Sequence, residues 1–245
     1  MRFKNKVALV TGAESGIGLA LIKILLKEGC NVIATTHKKK INIKSARLVT
    51  FKLDVTKENN WISFLKVIKI KFKAIDILIN NAGIRISGSI EDTSLELWNH
   101  ILSTNTTSLF LGTKYILPLL KKSKNACVIN SSSVTGIRGV KNMLAYATSK
   151  SALTSFTYSL ALDLAKYNIR VNAVAPGAVK TGMTKSLQKD INNDIVFHQR
   201  MIDAHPLGRM ATPQEIAKTI SFLASEDASF ITGAVFPVDG GRSVR

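Results

Sequence analysis

The stretch KVALVTGAESGIGLALIKILLKEG, Lys6–Gly29, decides the fold. A short apolar run, KVALV, ends in the turn TGAESGIG (Thr11–Gly18), and an apolar-periodic helix follows from Gly16 to about Glu28. Gly12, Gly16 and Gly18 are spaced G-x-x-x-G-x-G, not the familiar G-x-G-x-x-G. The physics of the turn is unchanged. Glycine lets backbone pass close to a pyrophosphate, and the first N–H groups of the next helix point at that anion. A glycine turn alone is weak evidence, so the rest of the chain has to carry the reading.

The same alternation continues outward from that turn. NVIATT (Asn31–Thr36) and RLVTFKL (Arg47–Leu53) read as strands, followed by a helix over about Glu58–Phe72 and the strand IDILIN (Ile75–Asn80). A long helix over about Ser94–Lys121 has Asn105 inside it. ACVINS (Ala126–Ser131) is a strand, Ala145–Tyr167 a second long helix, and IRVNAVA (Ile169–Ala175) a strand. A helix capped by Thr212 and a last strand, AVFPVD (Ala234–Asp239), close the pattern. Short, doubly apolar strands separated by helices indicate an α/β fold with a doubly wound parallel sheet and a ligand at its carboxyl edge. The expected organisation is one Rossmann-like domain over 1–245, with a substrate loop and helix inserted at about 182–205. HKKKINIKSA (His37–Ala46) stands where a crossover helix would normally sit and reads as a single helical turn or an extended loop.

Composition narrows the class. The 245 residues are 46% hydrophobic with ordinary glycine and proline, which indicates a globular chain. The basic start leads into a strand, so it does not read as a signal peptide, and no run reaches membrane-spanning length. Cys30 and Cys127 have no metal-ligand spacing and read as buried thiols in a reducing compartment. The expectation is a cytoplasmic protein without a metal. Thirty-four basic against 16 acidic residues give +18. The lysines are scattered over nearly every helix and no nucleic-acid motif appears, so neither nucleic acid nor membrane is expected as a partner.

SSSVTG…AYATSK carries the chemistry. Ser133 ends a strand, and Tyr146 and Lys150 lie four residues apart at a helix start, which puts them on one face a turn apart. A free phenol titrates near pH 10. An adjacent ammonium and a positively charged nicotinamide bring it toward the working range, and Ser133 can hydrogen-bond a substrate oxygen.

These motifs, in this order, resemble those of the standard-length short-chain dehydrogenase/reductases, and the resemblance runs essentially end to end. TGAESGIG resembles the family's cofactor turn and NNAG (Asn80–Gly83) its mid-sheet motif. VNAVAPGAVKT (Val171–Thr181) resembles its nicotinamide-side strand and loop, and ITGAVFPVDGG (Ile231–Gly241) its last strand. The resemblance implies that Tyr146 is the general acid in carbonyl reduction and the base in alcohol oxidation. It implies that Lys150 lowers the Tyr146 pKa and holds the nicotinamide ribose, and that Ser133 polarises the substrate oxygen. Asn105 would hold a relay water, or else mark a polar helix kink. Gly12, Ser15, Gly16, Ile17 and Gly18 would receive the pyrophosphate, and Asp54 and Val55 the adenine. Asp54 reads equally well as a helix N-cap. Asn81, Ala82 and Gly83 would pass beside the adenine ribose, and Pro176, Gly177, Val179 and Thr181 would border the nicotinamide.

The second strand ends in Thr36, followed by His37 and Lys38, without the acid that selects an NAD ribose hydroxyl. NADP(H) is therefore expected, with NAD(H) as the alternative, while Glu14 beside Ser15 pulls the other way. The segment His205–Gly233 resembles 3-oxoacyl-carrier-protein reductases, which implies reduction of a 3-oxoacyl or similar carbonyl, small or carrier-tethered. Lys121, Lys122, Lys124 and Lys166 are expected at the mouth of the site. LFLGTKYILPLLK and LAYATSK resemble cyclic-alcohol and hydroxysteroid dehydrogenases equally well. A non-catalytic cofactor sensor or nucleic-acid binder of the same fold is the remote alternative, opposed by the retained Ser133, Tyr146, Lys150 and Asn105. Met183, Leu187, Phe197, Met201 and His205 could form an apolar lid or simply pack, and Arg138 reads as a surface arginine, with a contact to a substrate carboxylate or phosphate as the alternative. The resemblance also implies a homotetramer.

Overall fold

The computed structural model describes residues 1–184 and 194–245. Seven parallel strands run β1 Val7–Val10, β2 Asn31–Thr36, β3 Leu48–Lys52, β4 Ile77–Asn80, β5 Cys127–Ser131, β6 Arg170–Pro176 and β7 Val235–Val238. Their order across the sheet is β3-β2-β1-β4-β5-β6-β7. The direction of winding reverses between β1 and β4, where Ala8 pairs with Ile77 and Val10 with Ile79. Crossovers leave the sheet on opposite faces there, and a crevice opens beyond the carboxyl ends of the strands.

Helices cover both faces. On one lie α1 (Gly16–Lys27) and α7 (Pro213–Ala224), on the other α2 (Glu58–Lys71), α4 (Ser108–Leu120) and α5 (Leu144–Ala165). Leu21, Leu25, Ile220 and Leu223 build one core layer. Trp61, Phe64, Ile116 and Leu164 build the other, with the Trp61 indole N–H donating to the Val55 carbonyl at 2.9 Å. Strand residues such as Leu9 and Ile79 are fully enclosed, as expected of a parallel sheet covered on both faces. A full capping box opens α7: Thr212 accepts from the Glu215 N–H, and Glu215 accepts from the Thr212 N–H. Such a cap contributes about 1 kcal/mol.

The long helix expected over Ser94–Lys121 is divided. α3 (Leu95–Leu102) passes through a π-helical turn, Ser103–Thr107, into α4, and Asn105 sits in the wide turn. Pro118 does not stop α4, which continues to Leu120, because only the final turn lacks its N–H. His37–Ala46 is an extended connection with Ile41 and Ile43 packed on the core. α6 (Asp194–Asp203) stands inside the 182–205 insert, and Leu187 lies outside the described residues. Cys30 and Cys127 are free and buried, and burial pushes their thiols up to about 12 and about 11.

Candidate active site

The sheet's carboxyl edge holds a cleft of ≈ 1060 Å³. That exceeds the roughly 300–1,000 Å³ of a pocket for one small ligand and suits a dinucleotide with a substrate. Every catalytic and cofactor-binding residue expected from sequence lines it except Gly18 and Asn105.

The glycine turn is built for close approach. Gly12 has φ +61°, and a Cβ there would lie 2.9 Å from the Ala82 backbone. At Gly18 a Cβ would lie 2.6 Å from the Gly12 carbonyl oxygen and 2.7 Å from Asn81 Nδ2. Gly18 therefore closes the turn from behind. Asn81 holds it from the other side, its Nδ2 donating to the carbonyls of Thr11 (3.0 Å) and Gly12 (3.1 Å). Asn80 faces the interior instead, donating to Asn130 Oδ1 at 2.9 Å, while Asn130 donates to Thr157 at 3.0 Å. This buried polar chain joins β4, β5 and α5. The open N-terminus of α1, with no side-chain cap from Ser15, fits a pyrophosphate.

At the end of the cleft beside β2 and β3, Asp54 accepts from the Thr56 N–H (3.0 Å) and hydroxyl (2.7 Å). Burial would raise its pKa, but the bonds from Thr56 outweigh that and hold the carboxyl below its usual range. Asp54 does not cap α2, whose N-cap is Lys57. The end of β2 carries a feature that sequence spacing cannot show. The Glu14 carboxylate accepts from the backbone N–H groups of His37 (2.8 Å) and Lys38 (3.1 Å).

At the other end, Ser133, Tyr146 and Lys150 share one wall. Lys150 is buried, its Nζ donating to the Ser131 carbonyl at 2.7 Å, and desolvation lowers its pKa to about 8. Burial raises the Tyr146 pKa, opposed by Ser133 and by the charge of Arg85. Lys150 turns its charge to another partner in this arrangement. Its ammonium faces Ser131 and lies 5.9 Å from the tyrosine ring centroid, so desolvation of the phenolate dominates. Asn105 is likewise engaged. Its Oδ1 accepts from the Ile84 N–H (2.8 Å), and its Nδ2 donates to the Ile84 carbonyl (2.9 Å) and Ser149 Oγ (3.0 Å). Both amide protons are used, so the side chain clamps the NNAG loop to α5.

Three further placements differ from or extend the sequence reading. Lys121, Lys122, Lys124 and Lys166 do not reach the cleft. They flank the start of β5 and β6, at the amino edge of the sheet, with Lys121 Nζ 3.7 Å above the Tyr167 ring. Arg138 donates to the carbonyl of Arg242 at 2.5 Å. Arg85, two residues past NNAG, lines the cleft and donates to Met143 Sδ at 3.3 Å. Nothing in its spacing marked it. A second cavity, ≈ 360 Å³, opens at the amino edge beside Arg170, whose guanidinium is taken up by the carbonyls of Leu223, Ser225 and Ile231.

The chain matches the family model described as Enoyl-(Acyl carrier protein) reductase over residues 12–243. It is 35% identical over 248 residues to cyclopentanol dehydrogenase of Comamonas sp. (strain NCIMB 9872), covering 98% of each chain. It is 36% identical over 250 residues to 3-oxoacyl-acyl-carrier-protein reductase FabG of Thermotoga maritima, covering 98% of this chain and 99% of that one. Among solved structures, ligand-free aldohexose dehydrogenase of Thermoplasma acidophilum superposes with a TM-score of 0.91 at 34% identity, covering 99% of this chain and 95% of that one. With the parallel sheet, the glycine turn and the shared wall of Ser133, Tyr146 and Lys150, these similarities place the chain in the short-chain dehydrogenase/reductase family of nicotinamide-dependent oxidoreductases.

Proposed function

We propose that the protein interconverts a ketone and a secondary alcohol, with Tyr146 transferring the proton, Ser133 orienting the substrate oxygen and Lys150 supporting both tyrosine and cofactor. The observation that carries this reading is the convergence of hydroxyl, phenol and ammonium in the cleft that the glycine turn opens. The nicotinamide would supply or accept hydride at C4 when bound. Pro176, Gly177, Val179 and Thr181 would hold that ring, and Gly12 to Ile17 the pyrophosphate. Tyr146 donates its phenolic proton to the carbonyl oxygen in reduction and takes it back in oxidation. Burial keeps the phenol protonated, which suits it to the reductive direction.

For the cofactor we favour NADP(H). His37 and Lys38 line the cleft beside Thr36, and Lys57 adds a further cation there. Glu14 opposes a 2′-phosphate, but it is only partly buried and can turn aside, freeing the two N–H groups for the anion. For the substrate, the similarity to FabG supports a 3-oxoacyl compound and the similarity to cyclopentanol dehydrogenase supports a cyclic ketone. The position of Lys121, Lys122, Lys124 and Lys166 at the far edge removes them as an argument for a carrier protein at the mouth. A turnover screen of β-ketoacyl thioesters, cyclic ketones and steroids with each reduced cofactor tests the reading, and no turnover of any would contradict it.

Among the described residues no helix is long and apolar enough to cross a membrane. We place the protein in the cytoplasm, as a homotetramer. α4 and α5 leave Phe110, Tyr158 and Leu162 exposed on their outer faces, Leu162 at 81%, and Phe230 is fully exposed beside β7. Apolar side chains grouped on paired helices suit a self-complementary two-fold contact. Leu162→Asp is expected to halve the assembly or reduce it to monomers in light scattering at micromolar concentration. A wild-type monomer there would refute the tetramer.

A further inference from the structure

His205 closes the insert just after α6, and its side chain is 3% exposed. Its two ring nitrogens join different walls of the cleft. Nε2 accepts from the Ala178 backbone N–H at 3.0 Å, and Nδ1 lies 2.5 Å from the Met201 carbonyl. A nitrogen that accepts from an amide carries no proton, and one that faces a carbonyl must carry it, so the ring is the neutral Nδ1–H tautomer. Gly177 is fitted to this contact, since a Cβ there would lie 2.6 Å from His205 Nε2. Ala178 belongs to the loop that borders the nicotinamide in the proposed function. Met201 and Phe197, on α6, line the opposite wall.

The loop has other anchors: the Gly177 N–H donates to the Val238 carbonyl at 3.1 Å, and the Thr184 hydroxyl donates to the Val179 carbonyl. Ala211 donates to the Ala178 carbonyl at 2.9 Å and accepts from the Lys180 N–H at 2.9 Å, which fixes its outer edge to the chain leading into α7. The inner edge, at the Ala178 N–H, is held by His205. We propose that His205 is a positioning residue that ties the nicotinamide loop to the substrate-side helix and so sets how tightly the cofactor is held. The inference rests on the reading of Pro176–Thr181 as the nicotinamide wall.

The arrangement carries its own pH limit. Protonated imidazole has no acceptor for Ala178 and turns an N–H toward an N–H. Burial holds the His205 pKa below the ordinary histidine value, with Arg242 acting the same way and Asp239 and the Met201 carbonyl opposing. Among the described residues Arg242 and Asp239 are the charged groups that act on the ring, and both lie in the stretch after β7. The contact is therefore intact through neutrality and is lost only on acidification below the ordinary histidine range.

Direct binding of NADPH tests this without a substrate, followed by fluorescence from pH 5 to 8, with NADH in its place if that binds tighter. His205→Ala should weaken binding about tenfold at pH 7.5, about 1.4 kcal/mol, and raise the cofactor KM far more than it lowers kcat. His205→Gln presents an amide oxygen to the Ala178 N–H and should recover most of the affinity. It should also flatten the acid loss seen in wild type, leaving only the titration of the 2′-phosphate itself. Circular dichroism confirms that each variant is folded. Binding within twofold of wild type in His205→Ala, or an unchanged acid loss in His205→Gln, would overturn the proposal. Wild type that binds neither cofactor would refute the proposed function instead.

Discussion

Tyr146→Phe is expected to bind cofactor as wild type does and to turn over at about 10⁻² to 10⁻⁴ of the wild-type rate, the range that positioned proton transfer contributes. The ring is buried against the wall that also holds Lys150, and phenylalanine keeps that packing while deleting the hydroxyl proposed to exchange a proton with the substrate oxygen. Lys150→Ala should damage both binding and turnover, because it also leaves the part-buried Ser131 carbonyl without the lysine donor. Direction matters as well. Since burial raises the Tyr146 pKa, the phenol is protonated at neutrality, so alcohol oxidation should accelerate with rising pH while ketone reduction does not. Steady-state kcat in both directions between pH 6 and 9 checks this. A Tyr146→Phe enzyme with near-wild-type kcat would sink the mechanism.

What the sequence made legible follows from what periodicity and spacing encode. Apolar runs of strand length between amphipathic helices fix a covered parallel sheet, and the glycine turn fixes which edge binds. The Tyr146–Lys150 spacing fixes a shared helix face. Spacing says nothing about which end of a helix meets the cleft. Lys121, Lys122 and Lys124 follow a helix that begins near the site and runs away from it, so their basic run lands at the amino edge. Partners distant in sequence were equally hidden. Asn105 read as a relay or a kink; it does sit in the π-helical turn, and its amide bonds to Ile84 and Ser149 are partners that spacing cannot show. His205 read as a lid or packing residue, and only the folded chain brings it to Ala178. Arg85 had no motif to mark it, since its place in the cleft, where its charge opposes the rise of the Tyr146 pKa, arises only in the folded chain.

The ribose end poses the sharper test, because two charges oppose each other across one turn. NADPH is expected to exceed NADH in kcat/KM by about tenfold, or about 1.4 kcal/mol. Thr36→Asp should reverse that, a swing of about a hundredfold, since it sets a carboxylate against the phosphate and offers an acceptor to the hydroxyl. Glu14→Gln should move the ratio the other way. An amide oxygen can still accept from one of the His37 and Lys38 N–H groups, so the turn is kept while the repulsion is removed. The lysines are exposed, and charges in solvent are screened within about 10 Å at 0.1 M salt. NADPH preference should therefore shrink between low and moderate salt in wild type, and Glu14→Gln should raise it at both. If NADH is preferred in wild type and Glu14→Gln brings NADPH level, the Glu14 carboxylate governs the site and the lysines are only a solvated loop. Equal use of both cofactors by wild type and by Thr36→Asp would remove the 2′-position from the selection altogether.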